Sequence, residues 1–425
     1  MAQPPGFVHP DFPNHICKLH KAIYGLKQSP RAWYATLRTA LLSLDFIESK
    51  SDTALFTYHA PQITTYFLVY VDDIILTGNS KSFLTKIIFQ LNKLFPVKDL
   101  GQLHYFLGME ATRTKDGLFL SQSKYIDDIL TRADMIQAKP LHTPVSAGSS
   151  LSKHDGDPLS DPFLYRSIVG ALQYLTLTRP ELAFAVNRAC QFMQTPTSSH
   201  WGAVKRILRY LRHTPRHGIF LRPNSQFTLV AYSDADWAGC PNDRRSTTGF
   251  CIFLGDNLVS WNSKKQQVVA RSSTESEYRA LAYTTADLCW IQSLLSELRV
   301  SLSSSPVLWC DNIGAAFLLV NPVFHARTKH IEIDFHFVRE KVTRKQLLIQ
   351  YIPTEDQVAD IFTKGLSSHR FALLRSKLTV CASPFRLKGD DKVYVAREEE
   401  DGDADVAEKG DDDATEEGDG DAKET

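Results

Sequence analysis

A chain of 425 residues with 43% hydrophobic and 23% charged residues falls in the ordinary globular range and has room for two or three domains with substantial cores. Its formal net charge of zero hides a strong asymmetry: residues 389–425 hold 17 acidic against 4 basic side chains, which leaves 31 acidic and 44 basic before them. A basic body points to a polyanionic partner, and the acidic end to a solvated tail.

No apolar run is long enough to span a membrane, so no membrane partner is expected, and Met1-Ala2-Gln3-Pro4-Pro5 lacks the charged-then-apolar layout of a secretory leader. The seven cysteines are scattered, odd in number and free of Cys-x-x-Cys spacing. That argues against a disulfide scaffold or zinc module, and for a reducing, intracellular location, cytoplasmic or nuclear.

In chain order, Ser29-Pro30 reads as a helix start, with Trp33, Leu37, Leu41 and Leu44 recurring at core-facing helical spacing. Tyr24, Lys27 and Gln28 just upstream form a cluster suited to a nucleotide. Tyr66 to Gly78 is two strand-like apolar runs around Asp72-Asp73. Paired aspartates there serve either as turn residues or as oxygen ligands for Mg²⁺. Residues 105–109 read as a short strand, Lys124 as a phosphate contact, and the Pro/Ser/Gly/Asp-rich stretch 140–160 as a loop.

Over 200–216, Trp201, Val204, Leu208 and Leu211 make an apolar stripe beside a basic one, Lys205, Arg209, Arg212 and Arg216. The basic stripe either faces water or tracks duplex phosphates as a thumb helix. A new pattern opens after Pro223. It begins with a strand from Phe227 ending in Asp234, with strand-like runs at 248–254 and 257–262. A helix capped by Ser273 or Thr274 follows, from about Glu275 to Leu298. A buried strand then leads into Asp311, followed by a helix over 328–345 and a strand over 347–352. Last comes a helix opened by Asp356 and containing Asp360. Trp237 and Trp261 are expected in the core.

The run Lys21-Ala22-Ile23-Tyr24-Gly25-Leu26-Lys27-Gln28-Ser29-Pro30-Arg31-Ala32-Trp33-Tyr34, with Tyr70-Val71-Asp72-Asp73-Ile74-Ile75, resembles the reverse transcriptase of copia-type LTR retrotransposons. Lys98-Asp99-Leu100-Gly101, Tyr105-Phe106-Leu107-Gly108-Met109-Glu110 and Leu120-Ser121-Gln122-Ser123-Lys124-Tyr125 extend the likeness. The resemblance implies that Asp72 and Asp73 are polymerase metal ligands and that 98–125 closes the palm and grips a primer. The family carries a further catalytic Asp upstream of the segment that resembles Met1 to Phe7. The polymerase part is therefore expected to be incomplete, with dNTP binding only if the missing part is supplied.

The second half resembles the RNase H domain of the same elements. The likeness rests on Tyr232-Ser233-Asp234-Ala235-Asp236-Trp237-Ala238-Gly239, Ser272-Ser273-Thr274-Glu275-Ser276-Glu277-Tyr278, Cys310-Asp311-Asn312, Arg327-Thr328-Lys329-His330-Ile331 and Gln357-Val358-Ala359-Asp360. It implies two Mg²⁺ ions, with Mn²⁺ as a substitute, held by Asp234, Glu277, Asp311 and Asp360 for cleavage of RNA in an RNA–DNA hybrid. Glu275 competes with Glu277, although Glu277 fits the family's helix better. Asp236 competes with Asp234, because alternate residues share a face. Taken singly, any of these acids would pass as a cap or a surface charge. His330 is either a proton shuttle or a buried structural histidine. Lys264 and Lys265 are candidate contacts to the hybrid backbone.

The expected fold is α+β and α/β: a truncated palm (1–145), a helical thumb or connection (146–222), an RNase H-like domain with a mixed five-stranded sheet and flanking helices (223–368), the end of the element-like sequence (369–380) and an acidic disordered tail (381–425). The tail's charge would suit a basic protein partner. Expected nucleic-acid partners are the hybrid and a template-primer. Two rival readings stand beside the polymerase/RNase H one: a free-standing RNase H-like nuclease, and an inactive retroelement-derived nucleic-acid-binding or interaction protein. Integrase-type nucleases place their catalytic Glu last, whereas here it precedes the third acid.

Overall fold

The computed structural model describes residues 2–19, 23, 25–223, 226–318 and 332–384, and its regular structure opens at the expected Ser29-Pro30 start. Helix α1 (Ser29–Ser43) has Pro30 in its first turn, where an amide N–H would lack a helical partner anyway. Leu37 and Leu41 are buried, with Trp33 and Leu44 packed beside them. A meander follows, β1 (Ile47–Glu48), β2 (Leu55–Ala60), β3 (Ile63–Tyr70) and β4 (Asp73–Gly78), antiparallel and in that spatial order. Pro61-Gln62 turns β2 into β3, with Gln62 at φ 64°, as a type II turn requires of its second central residue. Helix α2 (Lys81–Leu94), capped by the Ser80 hydroxyl, lays Ile87 and Leu91 onto Phe56 and Phe67.

The expected strand at 105–109 is in fact two, β5 (Tyr105–Phe106) and β6 (Met109–Thr114), because Leu107 (φ 48°) and Gly108 (φ 72°) turn the chain between them. Next come β7 (Gly117–Ser121) and α3 (Ser123–Arg132), then the loop expected near 140–160. Helices α4 (Pro162–Leu175), α5 (Ala183–Cys190) and α6 (Ser198–His213) pack through Ile168, Leu172, Val186, Val204 and Leu208. The fully buried Arg179 ties the 3₁₀ turn Pro180–Leu182, just before α5, to the end of α6: it pairs with Glu181 at 2.7 Å and donates to the Thr214 carbonyl at 2.8 Å. Strand β8 (His217–Leu221) then pairs antiparallel with β7.

The second half builds the expected mixed sheet. Strands β9 (Leu229–Asp236), β10 (Thr247–Leu254) and β11 (Asn257–Lys265) are antiparallel. Helix α7 (Ser273–Glu297) leads to β12 (Val307–Cys310), α8 (Ile313–Leu318), α9 (Glu332–Thr343) and β13 (Leu348–Tyr351). Strands β12 and β13 add parallel, giving the order β11-β10-β9-β12-β13. The period of two in β10 places its residues by face: Phe250 and Ile252 pack under Tyr278 and Leu281 of α7 and Phe335 of α9. Cys251 and Phe253 face the other way, toward Val186 and Ile361.

Four local expectations are corrected. Strand β9 begins at Leu229 rather than Phe227. Ser272, not Ser273 or Thr274, caps α7, its hydroxyl accepting from the Glu275 N–H at 3.2 Å. The expected helix opened by Asp356 is two 3₁₀ turns, Thr354–Asp356 and Val358–Phe362, split by an extended Gln357. The reason is tertiary: the Gln357 amide is buried and donates to the Ser233 carbonyl at 2.9 Å, which holds the chain against β9. Trp237 is 53% exposed, while Trp261 is partly buried and donates to the Thr176 carbonyl at 3.1 Å.

Helix α10 (Ser368–Lys377) and strand β14 (Val380–Ala382) close the described chain. Strand β14 pairs with β8, completing a sheet ordered β14-β8-β7-β6-β5, whose strands come from both sides of residues 145, 222 and 368. A polar seam joins the β1–β4 meander to α7: Glu297 accepts from the Lys50 and Ser51 N–H groups at 3.0 and 3.1 Å, and Tyr66 donates to the Leu298 carbonyl at 2.6 Å.

Candidate active site

The β3–β4 register ends at Tyr70↔Asp73, so Val71 and Asp72 form a two-residue turn. Such a turn takes positive φ at its first central position, normally a glycine, yet Val71 sits there at φ 55°. Trp33 of α1 holds the tip, its indole N–H donating to the Val71 carbonyl at 2.5 Å. Asp72 and Asp73 are both exposed, and no three-residue metal-competent group among the described residues includes either. Lys27 and Gln28 are exposed immediately before α1, and Tyr24 lies outside the described residues.

The acids of the second half converge. Asp234 comes from the end of β9, Glu277 from the first turns of α7, Asp311 from the residue after β12, and Asp360 from the 3₁₀ turn. Single carboxylate oxygens of Asp234, Asp311 and Asp360 lie within 4.8 Å of one another, and Glu277 and Asp311 meet the same limit with the Cys310 sulfur. Asp234, Glu277 and Asp360 are buried, while Asp311 is half-buried. Glu277 Oε1 accepts from the Ala235 N–H at 3.2 Å, but its buried Oε2 has no hydrogen-bond partner. Thr354 donates to Asp311 Oδ2 at 3.1 Å, and the Thr363 hydroxyl donates to Asp234.

Electrostatics follow from that crowding. Burial, followed by the neighbouring Asp234 and Asp311 charges, pushes the Glu277 carboxyl well above its ordinary range. Burial also raises Asp234; the Lys364 ammonium opposes the shift and Asp360 adds to it. Burial works against the Lys364 charge too, yet Asp234 and Asp360 together raise its pKa. Buried carboxylates at this spacing, one with an unpartnered oxygen, are a donor set that suits a hard divalent cation. Burial pushes the neighbouring Cys310 thiol up as well.

The two open alternatives separate in space. Glu275 turns away to pair with Arg279 at 2.6 Å. Asp236 accepts from the Thr247 N–H and stands outside the cluster, its pKa pushed up to about 7 by burial against the pull of that N–H. His330 lies outside the described residues. Lys124 and Lys205 are exposed, and Arg209 donates to the Lys139 carbonyl at 2.7 Å, bracing the loop after α3. Arg216 and Arg212 act on Asp127 of α3, whose pKa burial raises. Lys264 is exposed, whereas Lys265 pairs with Asp243 at 2.9 Å.

Four residues at the cluster were not singled out from sequence: Thr354, Thr363, Lys364 and Arg370. Lys364 pairs with Asp360 at 2.7 Å and Asp234 at 3.3 Å. Arg370 of α10 reaches Asp360 at 3.3 Å and donates to the Thr354 and Gln357 carbonyls at 3.0 and 3.3 Å. The Asp360-Lys364 spacing of four was a readable signal of pairing. Arg370 carried none, being joined to Asp360 only through the fold.

With this geometry in place, the chain can be set beside known proteins. The reverse transcriptase (RNA-dependent DNA polymerase) family profile matches residues 1–147. A Saccharomyces cerevisiae protein assigned to transposon Ty5-1 is 30% identical over 289 residues, which are 67% of this chain and 94% of that protein. The retrovirus-related Pol polyprotein from transposon RE1 of Arabidopsis thaliana is 52% identical over 384 residues, 90% of this chain and 26% of the relative. The chain belongs to the copia-type retrotransposon Pol family. It spans about a quarter of the length of the RE1 relative. A foamy viral protease-reverse transcriptase in complex with double-stranded DNA aligns at TM-score 0.41 and 14% identity, covering 77% of this chain and 49% of that one, a likeness too loose to inform the site.

Proposed function

We propose that the chain is the RNA-directed DNA polymerase/RNase H portion of a copia-type Pol protein, and that Asp234, Glu277, Asp311 and Asp360 form its hybrid-cleaving centre. The observation that carries this reading is the convergence of four acids from four separate elements, with Glu277 Oε2 buried and unpartnered. Bound there, two Mg²⁺ ions, or Mn²⁺ in their place, would supply an activated water and stabilise the leaving 3′ oxygen. The protein's own part is to hold the donor set. Thr354 fixes Asp311, the Ala235 N–H fixes one Glu277 oxygen, and Arg370 ties Asp360 to the Thr354 and Gln357 carbonyls.

Polymerase chemistry is proposed for a site in which Asp72 and Asp73, together with a further carboxylate, would hold divalent cations. Template-primer and dNTP belong to that site, and exposed Lys27, Lys124, Lys205 and Lys264 are candidate backbone contacts. An intracellular, reducing setting is proposed from the odd, scattered cysteines.

The test is cleavage of an end-labelled RNA–DNA hybrid by the whole chain with and without Mg²⁺, beside Asp311→Asn. Metal-dependent cutting lost by roughly a hundredfold or more in the variant is expected, since Asp311 belongs to both groups of metal-competent side chains at the cluster. A folded parent that does not cut, or an equally active variant, refutes the assignment.

A further inference from the structure

We propose that Lys364 is the resident counter-ion of the acid cluster, and that its ammonium must leave Asp234 and Asp360 before a divalent cation settles between them; this rests on the nuclease reading above. Lys364 Nζ lies 2.7 Å from Asp360 Oδ1 and 3.4 and 3.3 Å from the two oxygens of Asp234. Asp234 and Asp360 also contribute, with Asp311, to the group of oxygens that lie within 4.8 Å of one another. An ammonium and a hard cation draw on the same lone pairs, so occupancy by one lowers affinity for the other.

Of the two cations at the cluster among the described residues, Lys364 is the one built to move. Arg370 is pinned by backbone carbonyls as well as by Asp360. Lys364 Nζ makes its hydrogen bonds to the two carboxylates alone among the described residues. Its side chain is 38% exposed, against 2% and 7% for the side chains of Asp234 and Asp360. Beside it opens a cavity of about 350 Å³, lined by Lys364, Arg188, Asp236, Thr363 and the 148–151 loop, which gives the ammonium somewhere to go. Four acids without compensation would repel one another, and Lys364 relieves that repulsion at the cost of weaker metal loading.

The experiment measures Mn²⁺ binding by electron paramagnetic resonance, and unfolding midpoints in EDTA and in Mn²⁺, for the whole chain and Lys364→Met. The variant is expected to bind Mn²⁺ roughly three- to tenfold more tightly, the effect of one partly exposed ion pair. Its midpoint in EDTA should fall, and its rise on adding Mn²⁺ should grow. Unchanged or weaker binding by a folded variant overturns the proposal and leaves the nuclease reading standing. Absence of binding in parent and variant alike removes both. Should the variant not fold, acylation footprinting of the parent decides: faster labelling of Lys364 at saturating Mg²⁺ than in EDTA supports displacement, and equal or slower labelling overturns it.

Discussion

Glu277→Gln separates what the acid cluster costs from what it does. In the metal-free protein Glu277 is buried beside Asp311, with one oxygen unpartnered. Two like charges about 5 Å apart at an effective dielectric of 20 repel by about 3 kcal/mol. Lys364 and Arg370 offset part of that, and a proton taken up by Glu277 relieves more, so the expected net gain from the neutral amide is about 1–2 kcal/mol at pH 8. The amide oxygen keeps the Ala235 N–H, and the new NH₂ can donate to a neighbouring carboxylate. The pH dependence has a definite sign. The folded carboxyl is raised above its unfolded value, so the folded state holds the proton longer. The parent therefore loses stability relative to the variant as pH climbs from about 4.5 toward the folded pKa, and the two converge below that window. Thermal unfolding in EDTA should show the variant higher by roughly 2–4 °C at pH 8 and equal at pH 4. Saturating Mg²⁺ should reverse the order, because the parent gains more binding free energy than a variant left with Asp234, Asp311 and Asp360 alone. A variant less stable in EDTA at pH 8, or Mg²⁺ raising both midpoints equally, would refute the reasoning.

Arg179→Met should destabilise by about 3–5 kcal/mol, because it strands the buried Glu181 charge and two acceptors on Thr214; chemical denaturation with an unchanged midpoint would sink this. His217 has its pKa lowered to about 3 by burial and by the nearby Arg179 and Arg375, so it stays neutral when folded and takes up a proton when unfolded below about pH 6.5. The parent should lose about 2 kcal/mol relative to His217→Phe between pH 6.5 and 4.5, and parallel urea-unfolding curves at the two pH values would contradict this. Trp33→Phe removes the donor to the Val71 carbonyl and should loosen the hairpin tip by about 1 kcal/mol, read as faster amide exchange at 70–73; unchanged exchange would show that the tip holds itself.

The sequence was readable where one local rule governs the outcome. The β3–β4 hairpin announced itself through two apolar runs around a polar pair, and α1 through Pro30 and a stripe that buries Leu37 and Leu41. It was unreadable where distant contacts override spacing. Asp356 and Asp360, four apart, look like one helical face, yet a side-chain hydrogen bond from Gln357 to β9 breaks the segment into 3₁₀ turns. Trp237 carries an apolar ring and was expected inside, but its strand has ended by Asp236 and the ring faces outward, its indole N–H donating to the Ala270 carbonyl at 3.2 Å. Glu275 and Glu277 show the limit most sharply. Two residues apart on a helix they point about 200° apart, so a single α7 cannot aim both at one cluster. Periodicity therefore dictates that only one can join. The choice between them is made by Arg279, which engages Glu275 from the next turn, and by the Ala235 N–H on β9, which receives Glu277. The first of those signals was in the sequence at spacing four. The second exists only once β9 and α7 have packed, and it is the one that turns an acid on a helix into a member of the site.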